Sequence, residues 1–317
     1  MSEGEAEGGD LAGRRERRRA WLAAVEGSGA ERGGGRGRGG ALARAQSALQ
    51  GGASPLDLDR AEALLARCEA LGVQVIPYAD PQYPPLLRLI PSPPLTLYAL
   101  GDLTPALQRP LVACVGTRSP SGWGLSAARA AAGVCVAEGF GVVSGLALGI
   151  DAAAHAATLD AGGYTVAVLG GALGCPSPAA QRPLARRILA QGGALLSELP
   201  PDAPVSASSL VARDRLQSGL SVGVFVAESS REGGSMHTAR FAQAQGRAVW
   251  VPSPPRGEGL DAAVGGLWAL LEGGARALGG PLELCAAAGE ARAGWAGLSA
   301  AGRALSAAGE EVQGELF

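Results

Sequence analysis

The sequence predicts an α/β protein: a doubly wound, mostly parallel sheet preceded by a disordered or weakly helical N-terminal segment. Three observations carry that expectation. From Leu111 onward, short apolar runs follow one another, each bounded by Gly, Ser or Pro. Windows of helical period separate them. The runs are almost continuously apolar, as strands covered by helices on both faces must be.

Taken in order, residues 1–52 are compositionally unusual. Met1 to Asp10 is acidic and Gly-rich, Arg14 to Arg19 carries five arginines, and Glu31 to Gly40 is an Arg/Gly tract. Such a composition buries too little to order a core. It reads as a solvated tail or as an arm making non-specific phosphate contacts. Residues 53–105 form a lead-in. Leu58, Ala61, Leu64, Leu65, Cys68 and Leu71 recur near a 3.6 period, predicting a helix over 57–71 that Gly72 stops. Val73 to Ile76 reads as a short strand, and the proline-dense stretch from Tyr83 to Pro94 as a linker before Leu95–Leu100.

The main domain, 106–280, holds the expected strands Leu111–Thr117, Gly141–Leu146, Tyr164–Gly170, Gly193–Leu199, Ser221–Glu228 and Arg247–Pro252. Helices are expected over Gly124–Glu138, Ile150–Ala161, Pro178–Gln191, Arg213–Leu220, Ser235–Gln245 and Leu267–Leu278. The tail, 281–317, is Ala/Gly-rich and carries no assignable pattern.

Composition narrows the chemistry. All 27 basic residues are arginine, and the 317-residue chain contains neither lysine nor asparagine. A P-loop lysine, a Schiff-base lysine and an N-glycosylation site are thereby excluded. Any phosphate contact from a basic side chain must come from arginine. The abundance of Ala, Gly, Arg and Pro points to GC-rich coding as the cause. A net charge of −2 selects no partner. Cys68, Cys114, Cys135, Cys175 and Cys285 lack CxxC spacing, which suits reduced thiols in an intracellular protein. With no signal-like start and no apolar run of about 18 residues, the expectation is a cytoplasmic protein without a membrane partner.

In an open parallel sheet, ligands bind beyond the carboxyl ends of the strands. The first expected strand leads into Gly116-Thr117-Arg118-Ser119, then Gly122 and Gly124, a turn whose amides, hydroxyl and guanidinium suit a phosphate. It is not the GxGxxG dinucleotide fingerprint. The second leads into Ser144-Gly145 and on to Asp151, placed as a helix N-cap, with His155 one turn later. Gly170-Gly171 and Ser197-Glu198 follow the third and fourth. Arg213-Asp214-Arg215 precedes the fifth, and Glu228 and then Gly233-Gly234-Ser235-Met236-His237-Thr238 follow it. Together these strand ends make an anion-binding crest. Its candidate contacts are Gly116, Thr117, Arg118, Ser144, Gly145, Gly170, Arg213, Arg215, Gly234, Ser235 and Thr238.

No catalytic or metal site is expected. Only two histidines exist, no HxxxH pair or GxSxG elbow is present, and Asp151 and His155 lie at i, i+4 on one expected helix.

The ordered set of motifs resembles the DNA-processing protein DprA (Smf) family. It comprises Val115-Gly116-Thr117-Arg118, the run from Ser144 to His155, Val168-Leu169-Gly170-Gly171, Leu196-Ser197-Glu198, Arg213-Asp214-Arg215 and the run from Gly234 to Ala242. Upstream, Tyr83 to Leu87 and Leu97 to Asp102 resemble that family's lead-in, so the likeness covers roughly Val73 to Leu278. The resemblance implies an extended Rossmann-like domain that binds single-stranded DNA without sequence preference, self-associates as a homodimer, and loads the RecA recombinase during natural transformation. It implies no turnover and no cofactor. On that reading Arg118 holds a phosphate, Arg213 and Arg215 extend a basic track, and Gly116, Gly234 and Ser235 let amides approach the strand.

Three departures stand out. Asp214 replaces the family's asparagine and puts a negative charge into the groove. The stretch from Arg19 to Gln50 is Arg/Gly-rich where the family has a helical domain. The tail after Gly279 is too short for the winged helix that many members carry. Two alternatives therefore stay open. One is a drifted paralogue with weak DNA binding. The other is an enzyme resembling the cytokinin-activating phosphoribohydrolases, although their Pro-Gly-Gly-x-Gly-Thr-x-x-Glu loop is replaced here by Glu232 to Thr238 with no following Glu.

Overall fold

Each of the six apolar runs of the main domain contains one strand of a single sheet. These are β3 (Leu111–Val115), β4 (Gly141–Ser144), β5 (Thr165–Val168), β6 (Ala194–Ser197), β7 (Gly223–Val226) and β8 (Ala248–Pro252). Three further strands, β1 (Gln74–Pro77), β2 (Thr96–Gly101) and β9 (Arg276–Leu278), complete the sheet. The computed structural model describes residues 3–28, 54–171, 173–255 and 261–314. Within them the strand order is β1-β2-β6-β5-β4-β3-β7-β8-β9. Every pairing from β6 to β9 is parallel, whereas β2 runs antiparallel to both β1 and β6.

Helices cover both faces because successive strand residues point to opposite sides. On one face Val143, Val166 and Val224 pack with Leu216, Ala239 and Leu267. These belong to α8 (Ala207–Leu220), α9 (Ser235–Ala244) and α10 (Asp261–Glu272). On the other, Val112, Val142 and Phe225 pack with Ala128, Ile150 and Leu284. They come from α5 (Gly122–Ala137), α6 (Ile150–Asp160) and α11 (Pro281–Gly314). Each fully buried Val or Leu contributes roughly 1.5–3 kcal/mol. That is why strands of four or five residues suffice.

The lead-in adds α2 (Pro55–Ala70), then β1, the single turn α3 (Pro85–Arg88), β2 and α4 (Thr104–Gln108). Its proline-dense stretch, expected as a linker, is packed. Arg88 is fully buried there, donating from Nε to the Tyr78 carbonyl at 3.0 Å, and lies over the Tyr83 ring. The expected helix before β6 divides into a 3-10 turn (Ala179–Gln181) and α7 (Arg182–Ala190).

Two expectations need correction, and the stretch left unassigned gains an element. Residues 3–28, part of the segment expected to lack a core, form helix α1 (Glu3–Ser28). Trp21 to Val25 of this helix are buried, and the Trp21 indole donates to Thr96 Oγ1 at 3.1 Å. Five consecutive apolar residues suffice to dock it, a signal that the average composition of residues 1–52 conceals. The Glu31–Gly40 tract lies outside the described residues. The helix expected to run to Leu278 stops at Glu272, because Gly274 takes a left-handed φ of +90° and Arg276–Leu278 then pairs with β8. The unassigned tail forms α11, whose Leu284, Ala287 and Ala288 are buried. Among the described residues no helix is long and apolar enough to cross a membrane.

Candidate functional site

From β3 the chain winds outward through β4, β5 and β6, then returns to place β7 on the opposite side of β3. The order reverses between β3 and β7, and a crevice opens beyond their carboxyl ends, as in other open α/β sheets. Its cavity measures about 430 Å³. The β3–α5 turn, the β4–α6 loop, α8 and the start of α9 surround it.

The β3–α5 turn is pinned from both sides. Thr117 N–H donates to the Glu228 carbonyl at 2.8 Å, and the Thr117 carbonyl accepts from Ile150 N–H at 3.1 Å. Gly116 allows this closeness, since a Cβ there would lie 2.6 Å from Ile150 Cγ1. Gly149, with φ +81°, likewise presses against the Arg118 backbone, where a Cβ would come within 2.7 Å. Arg118 itself is exposed at the tip, with no hydrogen bond or ion pair among the described residues.

The helix head that this turn was expected to offer a phosphate is already filled. The buried Glu228 carboxylate accepts from Ser121 N–H at 3.1 Å and from Ser121 Oγ at 2.7 Å. Ser121 Oγ in turn accepts from Gly124 N–H at 3.1 Å. The protein supplies its own anion to α5. At α9 the cap position is Gly234, and no side chain caps the helix. Ser235 Oγ donates to Ser229 Oγ at 2.8 Å, and Thr238 is buried against the cavity.

Behind the crevice, Ser144 is buried and donates to the Cys114 carbonyl at 2.6 Å. Asp151 is not the N-cap of α6, a position held by Gly149. Its carboxylate reaches back instead to accept from the N–H groups of Gly145 (3.1 Å) and Ala147 (3.3 Å). Burial raises the Asp151 pKa, while the charge of Arg213 and the loop hydrogen bonds oppose the rise. His155 is fully buried against Thr165 Oγ1 at 2.7 Å, and burial pushes its imidazole down to about 3. It is a neutral packing group.

The two arginines of α8 part company. Arg213 is buried beneath Gly145, whose missing side chain makes room for the guanidinium. Its Nη1 donates to the Val168 carbonyl at 2.8 Å, and its Nε lies 3.1 Å from the Asp214 carboxylate. Asp214 Oδ1 also accepts from Gln217 Nε2 at 3.1 Å. Burial pushes the Asp214 carboxyl up to about 7; Arg213 opposes this, Asp151 adds to it and Arg118 opposes it. Arg215 points elsewhere, bound to the Glu198 carboxylate at 2.6 Å and the Ser92 carbonyl at 3.1 Å. Residues two apart on a helix face nearly opposite sides, so both could not line one groove.

Seven of the candidate contacts meet at the cavity: Gly116, Thr117, Arg118, Arg213, Gly234, Ser235 and Thr238. Ser144 and Gly145 lie behind it, and Arg215 lies outside it. Gly170 packs on the start of α8, where its carbonyl accepts from Ser209 Oγ at 2.7 Å. Sequence reasoning missed Gln217 and His237 in the lining and Glu228 as the cap of α5. Gln217 was findable, since it stands at i+3 from Asp214. Among the described residues no cluster of His, Cys, Asp and Glu could hold a metal ion.

A family model described as DNA recombination-mediator protein A matches residues 74–287. The chain is 40% identical over 194 residues to Protein Smf of Escherichia coli, covering 61% of this chain and 52% of that one. It is 36% identical over 216 residues to the DNA processing protein DprA of Bacillus subtilis, covering 68% and 71%. It thus spans about half the length of the first relative and more of the second. Among solved structures, DprA of Streptococcus pneumoniae superposes with a TM-score of 0.64 at 29% identity, covering 85% of this chain and 92% of that one. DprA from Helicobacter pylori, described for its single-stranded DNA binding mode, gives 0.60 at 27% identity, covering 69% and 96%.

Proposed function

The chain belongs to the DNA recombination-mediator protein A family, and from that premise we propose that it binds single-stranded DNA at the switch-point crevice. It does so without sequence preference, as a non-catalytic cytoplasmic homodimer that helps load RecA recombinase onto the strand in recombination and transformation. One observation carries the DNA reading. The exposed Arg118 and the start of α9, where no side chain caps the helix, line one crevice, so a guanidinium and a helix N-terminus are offered to the same anion. The single-stranded DNA bound by the Helicobacter pylori relative supports the same ligand class.

The test is a salt titration of binding to fluorescent oligo-dT. Arg118→Ala should weaken binding about tenfold and lower the slope of log K against log salt by about 0.7, the value for one single-strand phosphate contact. Unchanged affinity in that variant would overturn the site. RecA loading is checked by whether the protein speeds RecA filament assembly on the same strand; no acceleration by a DNA-binding protein would remove that part.

A second reading, a relative with weak DNA binding, is favoured by Arg213. That guanidinium sits against Asp214 and in the field of Asp151, so it has little charge left to offer a strand. A nanomolar Kd at about 150 mM salt would argue against it.

A further inference from the structure

A second cavity, of about 500 Å³, opens where α1 and α2 meet the outermost strand, β1. Five strand spacings separate β1 from β3, about 24 Å at roughly 4.8 Å each. The family match begins at residue 74, so α1 and α2 lie ahead of it. Arg14, Arg15 and Arg18 of α1 line this pocket, and Glu69 is the one acidic residue among its described lining. The pocket thus carries a positive excess. Arg15 is engaged within the fold: its Nη2 donates to Glu62 Oε1 at 2.6 Å and its Nε to Glu69 Oε1 at 2.8 Å. Arg19 also faces Glu62, with Nε 3.3 Å from Oε2. Arg18 is held less firmly. Its Nη2 lies 3.6 Å from Asp80 Oδ2, beyond hydrogen-bond length, and 26% of its side chain is exposed.

We propose that this pocket binds a phosphate group, carried by a free nucleotide or by a nucleic-acid strand, between Arg14 and Arg18. The two arginines stand four apart on α1, so they share a helix face. Arg14 is exposed, as is Gln82 at the rim, where its amide can donate. The chain's own carboxylates have two oxygens each, enough for one guanidinium fork, as at Arg15. Two guanidiniums side by side with an amide suit an anion bearing oxygens on more than two sides, as a tetrahedral phosphate does. Behind them Leu65, Val73 and Val75 are buried, which weakens the screening of charges held in front. Burial also pushes the Cys68 thiol up to about 11, so Cys68 is neutral wall and not a nucleophile. The volume is that of a small-molecule site and admits a mononucleotide.

The experiment titrates the full chain with dTMP, thymidine and a hexaglutamate peptide by calorimetry at low salt, in an Arg118→Ala background that removes the exposed cation of the crevice. In that background dTMP should bind and thymidine should not. Adding Arg14→Gln with Arg18→Gln should weaken dTMP about tenfold or more, the loss expected for charge-assisted hydrogen bonds. Gln82→Glu changes an exposed residue and leaves α1 intact, so it should weaken dTMP several-fold in a chain that folds. Anisotropy with oligo-dT on the chain with Arg118 in place separates the two sources. If strand phosphates use the pocket, the Arg14 and Arg18 changes weaken oligo-dT as well. If only the free nucleotide does, they leave oligo-dT binding unchanged, and saturating oligo-dT does not displace dTMP. No dTMP binding, equal binding of thymidine, or dTMP binding indifferent to both sets of changes overturns the pocket without touching the crevice. Hexaglutamate binding tighter than dTMP, and lost in the same variants, overturns the phosphate and makes the pocket a site for acidic peptide.

Discussion

Helices α5 and α9 begin at the same crevice, each after a Gly-rich turn, yet their first turns are finished in opposite ways. At α5, Glu228 from beyond β7 binds Ser121, and the head of the helix is closed. At α9, Gly234 provides no side chain and no carboxylate caps the helix; Met236 and His237 N–H donate only to the Gly233 and Gly234 carbonyls, both at 3.0 Å. The glycine pattern is common to both. It therefore cannot tell a ligand site from a capped helix. A helix head is free for a ligand's anion only where no other part of the chain supplies one.

The comparison is broken most directly by closing the second head as the first is closed. Gly234→Asp meets no atom within 4 Å at its Cβ and keeps an ordinary φ of −58°, so the variant should fold. An Asp at this position puts a carboxylate at the N-terminus of α9, where the helix dipole favours it. Two unit charges about 4 Å apart interact by about 4 kcal/mol at an effective dielectric of about 20. Binding of oligo-dT should thus fall at least 30-fold with thermal stability equal or higher. Gly234→Ala, without the charge, should lose much less. If both variants bind alike, the head of α9 is not where phosphate sits.

A second contrast sets the β3–α5 turn against α8. Arg118 and Arg215 are both arginines of the expected basic track, but Arg215 is tied to Glu198 and Ser92. Removing one partner of a largely buried pair costs about 2–4 kcal/mol. Arg215→Ala should show that loss in denaturant unfolding, with strand affinity of the folded protein changed less than twofold. Arg118→Ala should do the reverse. A large affinity loss in Arg215→Ala with unchanged stability would restore Arg215 to the groove.

These contrasts explain what could be read in advance. The parallel strands were legible because each is an apolar run closed by Gly, Ser or Pro, and burial on both faces leaves no other reading. β9 was not, because the apolar period of α10 continues past Gly273-Gly274 and only the left-handed turn ends it. The docking of α1 depends on the Trp21 indole meeting Thr96 across the fold, a contact that local composition cannot reveal. At the site, the strand-end rule located the crevice, and seven candidate contacts line it. The helical phase that separates Arg213 from Arg215 was available in the expected helix over 213–220. The reach of Glu228 to Ser121 was not, since it spans the switch between β3 and β7.

Opening the first head should have a moderate effect. Glu228→Gln keeps the shape but removes the charge from Ser121, which should cost about 1–2 kcal/mol of stability in denaturant unfolding. Gln can still accept from Ser121, so the Arg118 turn should hold and strand affinity should change little. A tighter binder would mean that the emptied head of α5 has taken up a phosphate.

The smallest expected effect is one of pH, and it turns on Asp214 in the cavity wall. Asp214, pushed up to about 7 mainly by burial, keeps its proton between about pH 4 and 7, where the unfolded carboxyl is ionised. The folded state then binds more protons than the unfolded one. Stability from this group is present at the acid end of the window and is lost as pH rises through about 7. The same proton removes a negative charge near Arg118. Oligo-dT affinity should therefore rise a few-fold from pH 8 to pH 6. Asp214→Asn should flatten both profiles and raise stability at pH 8 but not at pH 5. His237 also lines the cavity, so His237→Gln is the necessary comparison. If the affinity profile survives in Asp214→Asn, the Asp214 carboxyl carries no part of the pH response.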